Sequence, residues 1–408
     1  MTRPEPYELT PLDIASGVVL GHEPAPDKSE EPAEAWNGAG PIAALERAIL
    51  PALLRPPCLV SFSGGCDSSA VLGVAARLAR REGLPLPIPA TNRFPEVSTS
   101  DESKWQELVV DHVGVDDWVK LEFRDELDAV GPIAGRTLRR HGLLWPFNTH
   151  FHVPLLEAAR GGSLLTGVGG DEVLSRSRWE RASAVMTAQV VPVPRDVLRV
   201  GFAVSPRVVR ARVLRKRIPA GFPWLREEAC RQVTAAWAAE AAAEPMRWRP
   251  RFRWLRGIRY RKASMSSLAV VAADADVRMV HPLSDARFSA ALAYLPRRRR
   301  FSNRNQAMQL LFSDVLPREI LVRRTKAWFD AAFFNRHSES LVETWQGEAV
   351  DPELVDRREL RAVWTSPQPD ARTFTLLQAA WLAAARRRSP QFASVGDGLE
   401  QALGRERE

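Results

Sequence analysis

The stretch from Ser63 to Ser69 combines residue types that bind anions. It reads Ser-Gly-Gly-Cys-Asp-Ser-Ser. It follows a short apolar run at 58–62 and precedes apolar residues spaced as on one face of a helix. Glycines let a backbone approach a ligand closely, and a helix N-terminus offers N–H groups and a favourable dipole. The stretch predicts a strand, a phosphate-binding turn and a helix; an ordinary capped helix start is the alternative.

Asp67 stands inside this turn and would repel phosphate unless a cation lay between them. Proteins hold Mg²⁺ with one or two carboxylates together with substrate phosphates. The turn is not a Walker loop, because no Gly-Lys-Ser or Gly-Lys-Thr occurs in the chain. We therefore expect a magnesium–nucleotide site. The residues expected to form its cradle are Ser63, Gly64, Gly65, Asp67, Ser68 and Ser69.

A second glycine-rich loop follows another apolar run at 163–166. It reads Thr-Gly-Val-Gly-Gly-Asp-Glu and ends at Glu172. Because Glu172 occupies the third glycine position of a dinucleotide fingerprint, we do not expect a dinucleotide site. We expect Asp171 to join Asp67 on one magnesium ion; a tight acidic turn is the alternative. The glycines expected beside the phosphates are Gly167, Gly169 and Gly170.

Apolar runs and helical patterns alternate around these loops and predict the elements that position them. The expected strands are 58–62, 86–90, 118–123 and 163–166, and the expected helices are 41–54, 101–113 and 150–159. This alternation predicts an α/β fold with a doubly wound parallel sheet, in which ligands bind beyond the carboxyl ends of the strands. Both loops would lie at that edge, and Thr91 and Asn92 would approach the adenine or ribose.

The chain divides into four parts in this interpretation. We expect an extended arm at 1–40, an α/β core at 41–180, a helical and substrate lobe at 181–345 and a C-terminal helical segment at 346–408. No stretch approaches the roughly 18 apolar residues of a membrane span. The N-terminus also lacks the apolar core of a signal peptide, so we expect a cytoplasmic protein. The three cysteines form no metal or disulfide pattern.

The formal charge is +8, and much of the excess lies at 247–262, where eight of sixteen residues are basic and none is acidic. Aromatic residues are interleaved with the basic ones. Such mixing can bind nucleic acid. The interpretation we favour is a helical lobe covered by amphipathic arginines that face a negatively charged substrate or partner.

Four stretches, in order along the chain, carry a resemblance to a known family. Residues from Ser63 match SGGxDS and those from Thr166 match TGxGxDE; residues 276–285 are similar to ExRxPFLD, and 316–326 to LPxxILxRxK. Over roughly residues 41–335 the chain resembles the synthetase domain of the asparagine synthetases and their relatives, the β-lactam synthetases and lasso-peptide cyclases. The resemblance implies an ATP pyrophosphatase fold (adenine nucleotide alpha hydrolase-like) with a large helical lobe, binding ATP and Mg²⁺.

The resemblance also implies a reaction. A carboxylate attacks the α-phosphorus of ATP, giving an acyl-adenylate and pyrophosphate, and an amine or ammonia then displaces AMP to form an amide. Catalytic roles follow for Asp67, Asp171 and Lys326, the last on a mobile loop that closes over the phosphates. A solvated lysine is the alternative for Lys326, and a structural salt bridge for Arg278, which matches an arginine near the substrate lobe. The expected acid is a peptide, sugar acid or small acid of specialised or cell-envelope metabolism.

Two departures from the family bear on the chemistry. Asparagine synthetases carry an N-terminal glutaminase domain with a catalytic cysteine after the initiator methionine, but residue 2 here is Thr2. We therefore expect nitrogen from free ammonia, a separate glutaminase, or an amine on the substrate, and a carrier or precursor protein is a further expected partner. Val168 stands where relatives have a glutamate or tyrosine that assists proton removal. His150 and His152 are candidate replacements, with structural or capping roles as the alternative.

Two other functions remain open from the sequence. Related ATP pyrophosphatases modify transfer RNA, which the basic aromatic stretch favours, whereas the absence of a Cys-x-x-Cys pair disfavours thiolation. A degenerate scaffold that binds nucleotide without turnover is favoured by Val168. It is opposed by the retention of Asp67, Asp171 and Lys326.

Overall fold

The fold is organised around one sheet of five parallel strands. The computed structural model describes residues 4–23, 38–218, 221–323, 325, 327 and 329–388. The strands are β1 Cys58–Ser61, β2 Ile88–Arg93, β3 Val119–Glu122, β4 Ser163–Leu165 and β5 Arg278–Val280. They lie in the order β3-β2-β1-β4-β5.

Helices surround the sheet. No helix in these ranges is both long and apolar enough to cross a membrane. The α-helices are α1 Pro11–Ser16, α2 Pro41–Leu53, α3 Cys66–Glu82, α4 Ser103–Val113, α5 Pro132–His141, α6 Val153–Ala158, α7 Gly170–Val173, α8 Glu180–Met186, α9 Pro194–Val204, α10 Arg207–Arg215, α11 Glu227–Ala243, α12 Trp248–Arg256, α13 Arg259–Asp274, α14 Ala286–Ala293, α15 Arg304–Phe312, α16 Arg318–Leu321, α17 Asp330–Phe333, α18 Arg336–Thr344, α19 Arg357–Trp364 and α20 Phe374–Arg388.

Side chains of successive strand residues point to opposite faces of the sheet and enter different apolar clusters. Val60 and Leu165 pack on one face with helices α2 and α3. Leu59 and Leu164 pack on the other face with helices α6 and α13. Because both faces are covered by helices, the predicted doubly wound α/β fold is confirmed.

The strands also show where sequence reasoning was inexact. β2 begins and ends later than expected, so Thr91 and Asn92 lie within the strand rather than after it. β5 was not predicted, because three residues between a helix and His281-Pro282 give no recognisable alternation. This strand lies outside the range 41–180 that was expected to contain the core. The four domain boundaries stay a prediction.

The N-terminal arm is not extended throughout. Thr10 and Asp13 form a capping box and Pro11 occupies the first helical position, so a short helix, α1, forms within the predicted extended segment. Asp13 is buried and pairs with Arg259 of α13 at 2.8 Å. The Trp224 indole N–H also donates to the Ala15 carbonyl at 2.8 Å. These contacts fix residues 7–23 against the body of the molecule.

Many residues of the basic aromatic stretch at 247–262 make contacts within the fold. Arg251 is buried and pairs with Glu244 at 3.0 Å, and Lys262 pairs with Glu23 at 2.6 Å. The Trp248 indole donates to the Leu292 carbonyl, and Phe252 is in the core. These groups hold α12 and α13 in place, whereas Arg247, Arg249 and Arg253 are exposed.

We predict that Asp13→Asn lowers the free energy of unfolding by about 1.5–3 kcal/mol, because it removes the nearer of the two carboxylates that pair with the largely buried Arg259. Asp276→Asn is the matched control. Asp276 pairs with Arg55 at 3.1 Å but is 81% exposed, so we expect a loss of less than about 1 kcal/mol. Urea unfolding of the two variants measures both values; equal losses would contradict the structural role given to the arm.

Candidate active site

Two adjoining cavities open at the carboxyl edge of the sheet. The loop cavity, of about 720 Å³, lies between the two glycine-rich loops and is also lined by Arg304 and Arg323. The aromatic cavity, of about 760 Å³, is lined in part by Phe94, Phe151 and Phe333. Both cavities are lined by Ser61, Ser63, Glu102, Ala327 and Phe329.

The first loop is held so that helix α3 begins at the loop cavity. Gly64 has a φ of 80°, which favours glycine, and Gly65 is the N-cap of the 17-residue helix α3. The carbonyls of Ser63 and Gly64 accept hydrogen bonds from Gln106 Nε2 at 3.2 Å and Arg323 Nη1 at 3.0 Å. The first-turn N–H groups of an α-helix have no acceptor within the helix. The loop therefore offers an anion several backbone donors at a long helix N-terminus.

The serines of the first loop divide into two kinds. Ser63 and Ser68 line the loop cavity, and their hydroxyl oxygens lie 3.1 Å apart. Ser69 is fully buried and does not line either cavity. Its predicted contact with nucleotide is therefore not supported, because at one position further along α3 the side chain turns towards the core.

The second loop packs directly against the first. A Cβ atom at Gly167 would lie 2.8 Å from the Ser68 nitrogen, and one at Gly170 would lie 2.2 Å from the Asp67 carboxyl carbon. Gly169 has a φ of 97°. The β1–β4 pairing places the two loops side by side at the end of the sheet, and the absence of side chains on these glycines allows the contact.

Asp67 and Asp171 meet around one guanidinium group. Arg304, the first residue of α15, places Nη2 at 2.6 Å from Asp67 Oδ1 and Nη1 at 2.9 Å from Asp171 Oδ1. Burial raises the pKa of Asp67 to about 6, and Arg304 opposes that shift. The two carboxylates, one 16% and one 67% exposed, thus already share a cation.

This pair of carboxylates fits a magnesium ion held jointly with a nucleotide. Mg²⁺ in such sites takes one or two carboxylates and fills its other positions with phosphate oxygens and water. Groups of three or more acidic, histidine or cysteine side chains that could hold a metal alone are absent from the described residues. The donor set therefore matches a metal that arrives with its substrate.

Of the two candidate histidine bases, only His152 reaches the loop cavity, where Thr166 and Val168 are neighbours. Burial lowers the pKa of His152 to about 4, so its imidazole is neutral. His150 lies between two backbone carbonyls, those of Phe147 and Leu127, at 3.2 and 3.1 Å. His150 therefore has a structural role.

A third histidine, which was not predicted as a site residue, contacts the start of the second loop. His281 follows β5, and its Nδ1 lies 2.7 Å from the Thr166 hydroxyl. Burial, and secondarily the neighbouring His152, lowers the pKa of His281 to about 3. The Ser284 hydroxyl donates to the Val168 carbonyl at 2.9 Å. The stretch 276–285 thus matters for the geometry of the loop.

A buried ion pair contacts the first loop. Arg323 pairs with Glu102 and lies over the Trp105 ring at 4.7 Å from its centroid. Arg323 precedes the segment that carries Lys326. Lys326 itself lies outside the described residues, while its neighbours Thr325 and Ala327 line the loop cavity.

Two other predicted residues are not at the site. The Thr91 hydroxyl donates to the Phe62 carbonyl at 2.7 Å and accepts from the Trp118 indole at 3.0 Å. Thr91 is therefore a buried link between strands, whereas its neighbour Asn92 does line the aromatic cavity. Arg278 is the first residue of β5 and is exposed. Since the cavities lie at the carboxyl ends of the parallel strands, Arg278 is at the opposite edge.

Sequence reasoning missed Arg304, Arg323, Glu102 and Gln106. None lies in a glycine loop, and each contacts the site only through the tertiary fold. Gln106 and Glu102 could have been suspected from one signal, since they belong to the start of a helix that follows β2 at the functional edge of the sheet. No local pattern marks Arg304.

Comparison with known proteins identifies one family. A family model described as asparagine synthase matches residues 45–387, most of the 408-residue chain. No curated protein matches the chain. The match agrees with the five-stranded parallel sheet and shows that the fold is of the ATP pyrophosphatase type.

We predict that Gly170→Ala destabilises the protein by about 1–3 kcal/mol, because its methyl group would overlap the Asp67 carboxyl group. Gly201→Ala is the control. A Cβ atom at Gly201, within α9, meets nothing within 4 Å, so alanine should stabilise the helix by up to about 1 kcal/mol. Chemical denaturation of both variants measures the difference, and a neutral Gly170→Ala would show that the loops are further apart.

We predict that the protein loses stability as the pH falls from about 7 to 5. His281 and His152 have lowered pKa values of about 3 and 4 in the fold, while the unfolded chain binds protons below about 6.5. Above about pH 6.5 the two histidines make their full contribution to the free energy of unfolding. Below that pH the contribution falls, and at pH 5 each histidine has lost about 2 kcal/mol of it. His281→Asn should reduce the loss by that amount. His112→Asn, at an exposed position, should leave it unchanged; equal pH slopes in both variants would contradict the prediction.

Proposed function

Because the chain belongs to the asparagine synthase family, whose members are ATP-dependent amide-forming ligases, we propose that it is an AMP-forming synthetase. It adenylates a carboxylate and transfers the acyl group to an amine or to ammonia. The observation that carries the proposal is the meeting of Asp67 and Asp171 around one cation at the start of α3. A nucleotide's terminal phosphates require a cradle of donors with a cation beside it. The N–H groups at the start of α3 supply the donors, and the two carboxylates can hold the cation.

In the first half-reaction a carboxylate oxygen attacks the α-phosphorus, and the bond from that phosphorus to the bridging oxygen breaks. Pyrophosphate leaves with the electron pair. The N–H groups at the start of α3 and the hydroxyls of Ser63 and Ser68 are placed to hold its charge. Asp67 and Asp171 would hold Mg²⁺, which when bound neutralises part of the phosphate charge.

Arg304 and Arg323 have different tasks in this proposal. Arg304 faces the loop cavity and keeps the two aspartates together before the nucleotide enters, so a magnesium ion must replace its guanidinium between them. Arg323 is buried against Glu102 and holds the Gly64 carbonyl. It keeps the first loop in the conformation that receives phosphate. Lys326 remains a proposed contributor to transition-state charge through its match to the family lysine.

In the second half-reaction a neutral amine attacks the acyl carbon, AMP leaves with the bonding electrons, and the nitrogen gives up one proton. Val168 cannot accept that proton. His152 is neutral and lines the same cavity. We assign it as the acceptor, and the negative charge of a bound adenylate would raise its pKa and strengthen it as a base.

Substrate, nitrogen source and location are further parts of the proposal. The aromatic cavity, with its phenylalanines and the carboxylates Glu102 and Glu122, has room beside the loop cavity for more than a nucleotide's phosphates. A peptide, sugar acid or small acid of specialised metabolism is the acyl donor, and the nitrogen comes from the substrate, ammonia or a separate glutaminase. We place the reaction in the cytoplasm, where thiols such as Cys66 stay reduced.

We predict that Asp67→Asn and Asp171→Asn each lower turnover by about 100-fold or more, because each removes a carboxylate from the cation site. The assay supplies ATP, Mg²⁺, ammonia and sets of amino acids, sugar acids and peptides, and measures AMP and pyrophosphate together. Asp276→Asn is the exposed control and should retain activity.

Three outcomes would overturn the proposal. ADP and phosphate as products would show a different chemistry, and undiminished AMP release by both aspartate variants would remove the proposed cation site. ATP binding in calorimetry without AMP formation from any acid would favour a nucleotide-binding scaffold.

A further inference from the structure

The helical lobe exposes an unusual set of aliphatic side chains. Among the described residues, eleven large hydrophobic side chains are exposed, and eight of them lie between residues 186 and 209. We call the exposed face of residues 186–218 the lobe surface. Its exposed hydrophobic residues are Met186, Val191, Val193, Val197, Leu198, Val204, Val208 and Val209.

The exposure follows from how α9 is fixed. Asp196 and Ala203 are buried on the inner face of this helix, and Asp196 is held by Arg181 at 2.6 Å and Arg199 at 3.0 Å. With Asp196 fixed inward, Val197 and Leu198 are 75% and 79% exposed. The helix therefore presents aliphatic side chains on its outer side, which is not the pattern of a solvated surface helix.

The lobe surface is also strongly basic. Residues 186–218 contain eight arginines and lysines and a single acid, Asp196, and that acid is 1% exposed. Arg195, Arg207 and Arg212 are exposed beside the aliphatic residues. A partner must therefore satisfy apolar contacts and positive charge together.

The charge and the side-chain types of the lobe surface indicate which class of partner fits it. A second copy of the same face would oppose like charges, which is costly. Single-stranded nucleic acid binds on aromatic platforms, and interfacial membrane helices carry Trp or Phe. Phe202 is the sole aromatic residue of the stretch, and it packs against Trp179 at 5.7 Å between ring centroids. An acidic protein segment with aliphatic side chains meets both requirements.

We propose that the lobe surface docks an acidic partner protein, through an amphipathic segment whose aliphatic side chains contact the outer face of α9. Gly201 supplies a place for such a side chain. It lies one helical turn from Val197 and from Val204, and space is open where its Cβ would be. This is the helix-against-helix mode of recognition with acidic side chains added.

A series of contacts connects the neighbourhood of the lobe surface with the second glycine-rich loop. Glu244 accepts from the Arg178 backbone at 3.4 Å and pairs with Arg251, whose Nη2 donates to the Glu172 carbonyl at 3.1 Å. A hollow of about 420 Å³ lies between, lined by Val204, Arg207 and Glu244 among others. A docked partner would sit near the loop of Asp171. That it delivers substrate there rests on the proposed function, whereas the docking itself does not.

Binding of synthetic peptides tests the docking on the full chain. The probe is a fluorescent helix-forming peptide with leucine on one face and glutamate on the other. Fluorescence anisotropy should show binding that weakens with salt, and the same peptide with lysine in place of glutamate should not bind. The double variant Val197→Ser/Leu198→Ser should weaken binding at least tenfold. Arg195→Glu/Arg207→Glu should do the same, while Leu54→Ser, at an exposed apolar position elsewhere (62% exposed), should not.

Several results would overturn the proposal. They are no binding of the glutamate–leucine peptide, equal binding by the Val197/Leu198 variant, or dimerisation that this variant abolishes. Binding of phosphatidylglycerol vesicles without binding of the peptide would assign the surface to a membrane instead. None of these results depends on ATP, so they leave the proposed ligase reaction unaffected.

Discussion

The structure depends on bringing two negatively charged side chains from distant parts of the chain to one point. Asp67 and Asp171 would repel each other, and Asp67 is also removed from water. The parallel pairing of β1 with β4 sets the two loops side by side, glycines let their backbones touch, and Arg304 balances the charge. The surrounding elements act as supports for this contact. Arg323 and Gln106 hold the first loop, and His281 and Ser284 hold the second.

Features formed by neighbouring residues could be predicted from the sequence, whereas features formed by residues far apart in the chain could not. The loop from Ser63 to Ser69 was recognisable because its glycines and the helix start are read from adjacent residues. Position in the sequence misplaced Thr91, whose hydroxyl is used by a neighbouring strand. Arg278, which only the family resemblance had suggested, lies at the start of an unpredicted strand and so at the other edge of the sheet. Arg304 could not be found, because its partners are more than one hundred residues away in sequence.

Some of the polar groups left without hydrogen bonds lie in the same region. Among the described residues, the buried atoms without a partner include Asn92 Oδ1, His152 Nδ1 and Glu172 Oε2, all from residues that line one of the two cavities. Such groups cost stability, and proteins usually keep them where a ligand or a reaction uses them. In contrast, several basic residues at 247–262, among them Arg251 and Lys262, form ion pairs within the fold. Charge in the sequence was thus a poor guide to the site. Of the fourteen unpartnered buried polar atoms in the described residues, five belong to residues that line the two cavities.

The second loop also shows how one scaffold can host different reactions. The backbone of Val168 is held on both sides, its N–H by the Thr166 hydroxyl and its carbonyl by Ser284. Only the side chain is free of this framework. A residue of another type can therefore be exchanged at this position without moving the glycines or the carboxylates of Asp67 and Asp171. A single substitution at position 168 can thus change the acid–base chemistry of a ligase, while the part of the site that faces the nucleotide stays the same.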